Sequence, residues 1–457
     1  MTLRTLLVLS VAALLTGACL AQGEQKPWHQ PTGVSTVPPS SDLPFDQYLR
    51  WATGQLREAL RTGRPDLSPA DQERLVAMRA PFEWPPDPPA WGPHPTPCPA
   101  PPRDGILLIH GLTDGPFLMR DVGRHFREKK CFLVRAILLP GHGTVPGDLL
   151  RVSHHDWIKA ARYGIDSFPK DIANLYVAGF STGGTLAVFH ALDENKEARE
   201  RITGLILLSP AIAVAEAKAP LANWHKLYSW ALPRGEWVEQ LFDERDAVKY
   251  ESFPKNAGDQ VYLLTRAVAD RRKSRPLETP VFVALSRDDS TVSSPATIEF
   301  FNAITPAPPP WKNVLINYTR APYALGDQQP IHDRSSVYPS DGIVSFSHLA
   351  IPVHPDNEHY GRHGDKTYKS CLAYETPNNE KPDDERSTLL ARCRTGRPPG
   401  DGVRLGETSL RKDLEEASDL ERLVPRLVLR RLTFNPDFEG MMAEIDAFVK
   451  RVQTGAR

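Results

Sequence analysis

An excess of one charge is the first thing this sequence lacks: 55 Lys and Arg stand against 56 Asp and Glu, leaving a formal charge of −1. That balance excludes the basic face that a nucleic-acid partner or an electrostatic membrane-surface binder would require. Cysteine is scarce, at five, and no C-x-C or C-x-x-C spacing occurs, which argues against a zinc or thioredoxin-like site. The 30 glycines have no three-residue period, so a collagen-like chain is excluded. No internal repeat is present, and beyond the first 21 residues no apolar run approaches the ~20 residues that span a bilayer. What abounds is proline: 44 of 457 residues, about twice ordinary usage. With 40% hydrophobic and 24% charged residues there is ample material for a core. The balance predicts a soluble, globular, loop-rich protein.

The first 21 residues read as a segment outside the fold. Arg4 precedes the apolar residues 6–9 and 11–15, and the small residues Thr16, Gly17 and Ala18 follow. A basic start, a short apolar run and a small-residue exit form the pattern of a secretory signal peptide, so the mature chain is expected to be exported. Cys19, after Thr-Gly-Ala, loosely resembles a lipoprotein cleavage site, and a lipid there would tether the chain to an envelope membrane. Export places Cys98, Cys131, Cys371 and Cys393 in an oxidising compartment. Four cysteines allow three pairings. The sequence-local one joins Cys98 to Cys131 and Cys371 to Cys393, each closing a loop worth roughly 3–4 kcal/mol in the chain-entropy model.

Residues 22–44 are polar with scattered prolines and read as a flexible linker. Residues 45–103 form an N-terminal extension: helical spacing over 47–61, a further turn or two over 71–79, then eleven prolines in 81–102, which forbid regular structure. From residue 104 the character changes. Apolar runs at 106–109, 132–138, 175–178, 205–208, 281–285 and 314–316 are separated by helix-length segments. Continuous apolar runs so spaced indicate parallel strands buried on both faces, hence an α/β domain over 104–457. Helices are expected near 118–129, 156–168 and 183–193, the second opened by a Ser153-x-x-Asp156 capping box. Residues 211–279 are too long for one crossover helix and read as an inserted cap. Residues 355–430 are polar and rich in Pro and Gly, a surface insertion, after which 438–452 returns to helical periodicity.

One motif carries chemistry. Leu175-Tyr176-Val177-Ala178 runs into Gly179-Phe180-Ser181-Thr182-Gly183, the G-x-S-x-G form, and then into a helix. A serine at a sharp strand-to-helix turn is strained, and residues two away must lack bulky side chains. Such a turn exposes the hydroxyl above a helix N-terminus, which favours developing negative charge. Some 70 residues upstream, Ile106-Leu107-Leu108-Ile109 ends in His110-Gly111-Leu112. An acyl-transfer oxyanion needs two fixed N–H donors, and the Leu112 and Thr182 amides are the natural pair for such an oxyanion hole.

These residues resemble the α/β-hydrolase superfamily, in its carboxylesterase and monoacylglycerol-lipase-like branch. His110-Gly111-Leu112-Thr113, Leu139-Pro140-Gly141-His142-Gly143 and Gly179-Phe180-Ser181-Thr182-Gly183 fall in the order that those enzymes show. The resemblance implies an α/β-hydrolase fold, with a mostly parallel sheet flanked by helices, and a triad in the order Ser, acid, His. It implies Ser181 as nucleophile. The acid is expected after the next-to-last strand, where Asp289 fits D-x-x-V with Val292; its neighbour Asp288 stays open on physical grounds. The base must then come from His332, His348, His354, His359 or His363. His348, at the end of a short apolar strand over 343–350, resembles the family's Ser-His presentation.

Other histidines read more plainly. His142 suits a loop-structuring role, and His154, His155 and Asp156 suit a helix start. His354, Asp356, Glu358, His359 and His363 resemble a ligand cluster, but Pro355, Gly361 and Gly364 preclude a helical i,i+4 site. No metal or cofactor is expected. Trp224, Tyr228, Trp230, Leu232, Trp237 and Leu241 in the cap suggest an apolar acyl pocket over the serine. The expected activity is hydrolysis of a small-molecule ester or lipid. A thioesterase or peptidase on the same fold is the alternative, and an inactive envelope scaffold a further one.

Overall fold

A computed structural model describes residues 25–87, 98–213, 237, 244–305, 312–322, 330–364, 371–373, 403–407 and 428–455. The leading apolar stretch 1–21 and most of the cap and the later insertion lie outside these residues. Among the described residues no helix is long and apolar enough to cross a membrane.

The chain begins its sheet earlier than the proline count suggests. Phe82–Trp84 forms strand β1 in the gap between Pro81 and Pro85, antiparallel to β3 (Leu133–Ile137). Flanking prolines are tolerated because this is an edge strand. Glu83 sits opposite Arg135 in the register and pairs with it at 2.6 Å. Parallel strands follow: β2 (Asp104–Ile109), β4 (Asn174–Phe180), β5 (Gly204–Leu208), β6 (Val281–Ser286), β7 (Val314–Thr319) and β8 (Ile331–Ser335). Their order in the sheet is β1-β3-β2-β4-β5-β6-β7-β8.

Period-2 alternation explains why the runs are apolar throughout. In β2, Leu107 and Ile109 face one core with Trp157, Leu186 and Leu264, while Ile106 and Leu108 face the other with Phe126, Ile445 and Phe448. The long helices among the described residues are α1 (Phe45–Gly63), α2 (Pro69–Arg79), α3 (Arg120–Lys130), α4 (His154–Asp166), α5 (Thr182–Ala191), α6 (Lys255–Ser274), α7 (Ser294–Ile304) and α8 (Phe438–Thr454), and those side chains come from α3, α4, α5, α6 and α8. The capping box at α4 forms as the sequence predicts, with Ser153 and Asp156 bonded reciprocally. Helix α6 corrects the cap boundary. Its Ala257, Val261, Leu264 and Val268 pack into the core beside α5, so the last third of 211–279 is a crossover helix.

Strand β8 has no apolar run to announce it. Its His332, Asp333 and Arg334 are half-buried, and Arg334 reaches Asp437, the residue that caps α8, at 2.8 Å and Glu444 within α8 at 3.0 Å. With β7 and β8 following, β6 is not the next-to-last strand of the sheet. Residues 343–350 do not form the expected strand either. Ile343 makes single bridges to Tyr338 and Leu405, and His348 opens a 3-10 turn, His348–Ala350. A second sheet of three strands comes from the insertion: β9 (Cys371–Ala373), β10 (Val403–Gly406) and β11 (Val428–Arg431), ordered β10-β11-β9.

The 22–44 segment is the clearest correction. Over its described part it is a docked strap rather than a flexible linker, because its polar groups find fixed partners. Thr32 bonds Asp148 through both its amide and hydroxyl, Thr36 accepts the Gly141 amide at 2.8 Å, and His29 Nε2 lies 3.1 Å from Ser252 Oγ. Trp28 is buried beneath the Arg64 guanidinium, which lies 4.7 Å from its ring. Gly147 is required where the strap crosses, since a β-carbon there would lie 2.2 Å from the Gln30 carbonyl oxygen. Trp28→Ala is expected to cost about 3 kcal/mol. Urea unfolding measures that loss, and limited proteolysis should cut ahead of Phe45 in the variant while sparing the wild type.

The N-terminal extension is bound as firmly. The fully buried Arg79 guanidinium donates to the carbonyls of Gly143, Thr144, Asp246 and Ala247, at 2.7 to 3.2 Å. Cys98 is disulfide-bonded to Cys131. Cys393 lies outside the described residues, and with it the second pairing.

Candidate active site

Ser181 stands between β4 and α5 with φ 52° and ψ −117°, a left-handed conformation that costs a non-glycine residue roughly 1–3 kcal/mol. The surroundings over-determine it. A β-carbon on Gly179 would lie 2.3 Å from the Gly183 carbonyl group, and one on Gly183 would lie 2.1 Å from the Ile109 oxygen. The Ser181 amide is held by Leu208 at 3.0 Å and its carbonyl accepts from Gly184 at 3.0 Å. The residue is only 6% exposed.

Strand β2 delivers the second element to the same edge. His110 is fully buried, with Nδ1 2.8 Å from the Gly111 carbonyl and Nε2 accepting the Leu139 amide at 3.1 Å. Burial, helped by His142 nearby, holds its pKa well below the usual histidine value, so it is a neutral structural group. Leu112 and Thr182 follow the two strand ends, and neither amide has an acceptor among the described residues. Thr182 is the first residue of α5, whose leading N–H groups are unpaired by construction.

Of the two neighbouring aspartates, the structure brings Asp289 to His348. Its Oδ2 lies 2.5 Å from His348 Nδ1, and its Oδ1 accepts the amides of Thr291 and Val292 at 2.8 and 3.0 Å. Asp288 faces elsewhere: Arg320 donates to it at 3.0 Å, and burial raises its pKa against that partner. His348 is buried, with its ring 4.8 Å from that of Phe180, the residue before the serine. The Asp289–His348 contact orients the ring and leaves Nε2 as the free nitrogen.

Four other histidines take structural partners. His142 is buried with Nδ1 3.1 Å from the Pro140 carbonyl, and burial brings its pKa down to about 4. His154 bonds Gln260. His359 pairs with Asp246 at 3.1 Å, both side chains fully buried, and His354 with Glu439 at 3.5 Å. Among the described residues no His, Cys, Asp and Glu group has the arrangement of a metal site. Of the six cap residues singled out in the sequence only Trp237 is described; it is buried edge-on against His29 of the strap, 5.2 Å between ring centres. The others lie outside the described residues.

Sequence reasoning missed Glu407. Its buried carboxylate accepts the His348 amide at 3.2 Å, and no motif or periodicity in the polar insertion signals it.

A serine at a strand-to-helix elbow, an acid loop two strands on in the sheet, and a histidine late in the chain define an α/β hydrolase. The alpha/beta hydrolase family model matches residues 106–339, just over half of the chain, and the chain belongs to that family. Ser181 and Asp289 fall inside the match and His348 beyond it. The chain is 25% identical over 189 residues to a thermostable monoacylglycerol lipase of Bacillus sp. (strain H-257), covering 41% of this chain and 71% of that protein. Among solved structures, it is similar to one of the metagenome-derived lipolytic enzymes LipS and LipT, with 19% identity, 48% of this chain and 84% of that one covered, and a TM-score of 0.40. It is also similar to a monoacylglycerol lipase of Paleococcus ferrophilus, with 13% identity, 69% and 98% covered, and a TM-score of 0.38.

Proposed function

We propose that this chain is a serine hydrolase of carboxylic esters, acting through an acyl-enzyme on Ser181. The observation that carries the reading is the Asp289–His348 contact at 2.5 Å, with the other Asp289 oxygen fixed by two loop amides. His348 Nε2 takes the Ser181 proton as the hydroxyl attacks the ester carbonyl, and Asp289 stabilises the imidazolium that forms. The carbonyl oxygen becomes an oxyanion held by the Leu112 and Thr182 amides, each contributing on the order of 3 kcal/mol. Collapse expels the alcohol, which takes its proton from His348. Water, activated by the same nitrogen, then releases the acid and restores Ser181. The steps draw on no cofactor.

Short- to medium-chain or monoacylglycerol-like esters are the proposed substrates. The monoacylglycerol lipase among the relatives supports that class, and so do the apolar residues of the cap sequence. The proposed site of action is outside the cytosol, after removal of residues 1–21, with an envelope tether if Cys19 carries lipid. A fluorophosphonate probe tests the nucleophile: its mass should appear on the tryptic peptide 171–196, which contains Ser181. Hydrolysis of p-nitrophenyl esters from acetyl to palmitoyl should then show an optimum in chain length. No labelling together with no turnover at any length would sink the reading.

A further inference from the structure

We infer that Glu407 and Arg431, carried by the small second sheet, are positioning residues that lock the histidine loop to the acid loop. The inference rests on the serine-hydrolase reading above. It makes the C-terminal insertion a working part of the site rather than a surface addition.

The histidine loop has no strand of its own, so its backbone groups must be satisfied by something else. Strand β10 and the residues just after β10 and β11 satisfy them. Val344 donates to the Leu405 carbonyl and Leu405 to the Gly342 carbonyl, both at 2.9 Å. The Glu407 amide donates to Ser345 Oγ at 3.0 Å, and Ser347 Oγ donates to the Leu432 carbonyl. The series ends on His348, whose amide donates to Glu407 Oε2 at 3.2 Å.

The same carboxylate reaches across to the acid loop. Glu407 is fully buried, and the Arg431 guanidinium, 14% exposed, lies 3.8 Å from its Oε1. Arg431 also donates to Thr291 Oγ1 at 3.4 Å, and the Thr291 amide donates to Asp289 Oδ1 at 2.8 Å. One continuous path therefore runs from the His348 backbone through Glu407, Arg431 and Thr291 to the Asp289 carboxylate. A buried carboxylate is retained only where charge and hydrogen bonds compensate it, and here both compensations terminate on the two triad loops. The family match ends at residue 339, so this support is supplied by chain beyond it.

The test uses the purified full chain and p-nitrophenyl butyrate. Misplacing a reacting group by about 1 Å costs on the order of 100-fold, so Glu407→Ala should lower kcat by about that factor while KM stays within about twofold. Glu407→Gln keeps an oxygen acceptor for the His348 amide and should recover to within about fivefold of wild type. The pH profile reads the charges directly. The groups facing His348 are Asp289 from the acid loop, Glu407 and Arg431 from the second sheet, and Asp114 from the turn after β2, itself 3.8 Å from Lys249.

Removing the Glu407 charge disfavours the imidazolium, so Glu407→Gln should move the acidic limb of kcat/KM to lower pH. Arg431→Met removes the opposite charge and should move it to higher pH. These two variants carry the test if Glu407→Ala fails to fold by circular dichroism: limbs unshifted in both overturn the inference. A wild type that neither turns over ester nor takes the fluorophosphonate overturns the hydrolase reading itself. A wild type that does both, beside Glu407→Ala at full kcat, overturns the positioning role alone.

Discussion

Ser181→Ala should abolish ester turnover, by about 10⁴-fold or more, with circular dichroism and the unfolding midpoint unchanged. Ser181 is the residue at the strand-to-helix turn, and without its hydroxyl His348 has nothing to activate and no acyl-enzyme can form. The residual rate would come from binding and oxyanion stabilisation alone. A second variant separates chemistry from strain. At φ 52° a glycine rests where serine does not, so Ser181→Gly should be equally inactive yet more stable by about 1 kcal/mol. Steady-state assays with p-nitrophenyl butyrate and urea melts measure both. Equal rates in wild type and Ser181→Ala would remove the elbow from the mechanism.

Asp289→Asn should be nearly as damaging, at about 10⁴-fold in kcat, whereas Asp288→Asn should stay within about threefold. The geometry dictates the first figure. The Thr291 and Val292 amides both need an acceptor, so the asparagine must turn its oxygen to them and its NH₂ to His348. Nδ1 is then forced to accept, the proton moves to Nε2, and that nitrogen can no longer take the serine proton. Asp288 has no such connection: it serves Arg320, and its loss should register in thermal stability rather than in rate. Comparable rate losses in the two variants would undo the assignment of the acid.

The parts of the fold and site that were legible in the sequence are those governed by short-range rules. Apolar runs such as 106–109 and 205–208 became strands because burial on both faces forces every position to be apolar. Gly179 and Gly183 flank the serine because no β-carbon fits there, and that restriction is visible in any single sequence. Asp289 could be favoured over Asp288 only by resemblance; the direction of each carboxylate is set by Arg320 and by the Thr291 amide, which spacing does not reveal. Strand β8 was illegible because its stability comes from ion pairs to α8 rather than from apolar side chains. The strap looked like a tether because prolines and polar residues have the same composition whether they float or dock. Glu407 stood outside any motif, since its partner is a backbone amide 59 positions away.

The strap also sets an order of events. Its residues are among the earliest of the described chain to be synthesised, yet His29 and Thr32 bind groups 223 and 116 positions further on. They cannot dock until that later chain has already folded. Contacts so distant in sequence are intrinsically slow to close, so the earliest-made segment should be the last to settle. A chain moving across a membrane N-terminus first would carry this piece unattached through the whole passage. Final closure over the cap base would then occur on the far side, and full resistance to protease would mark its arrival.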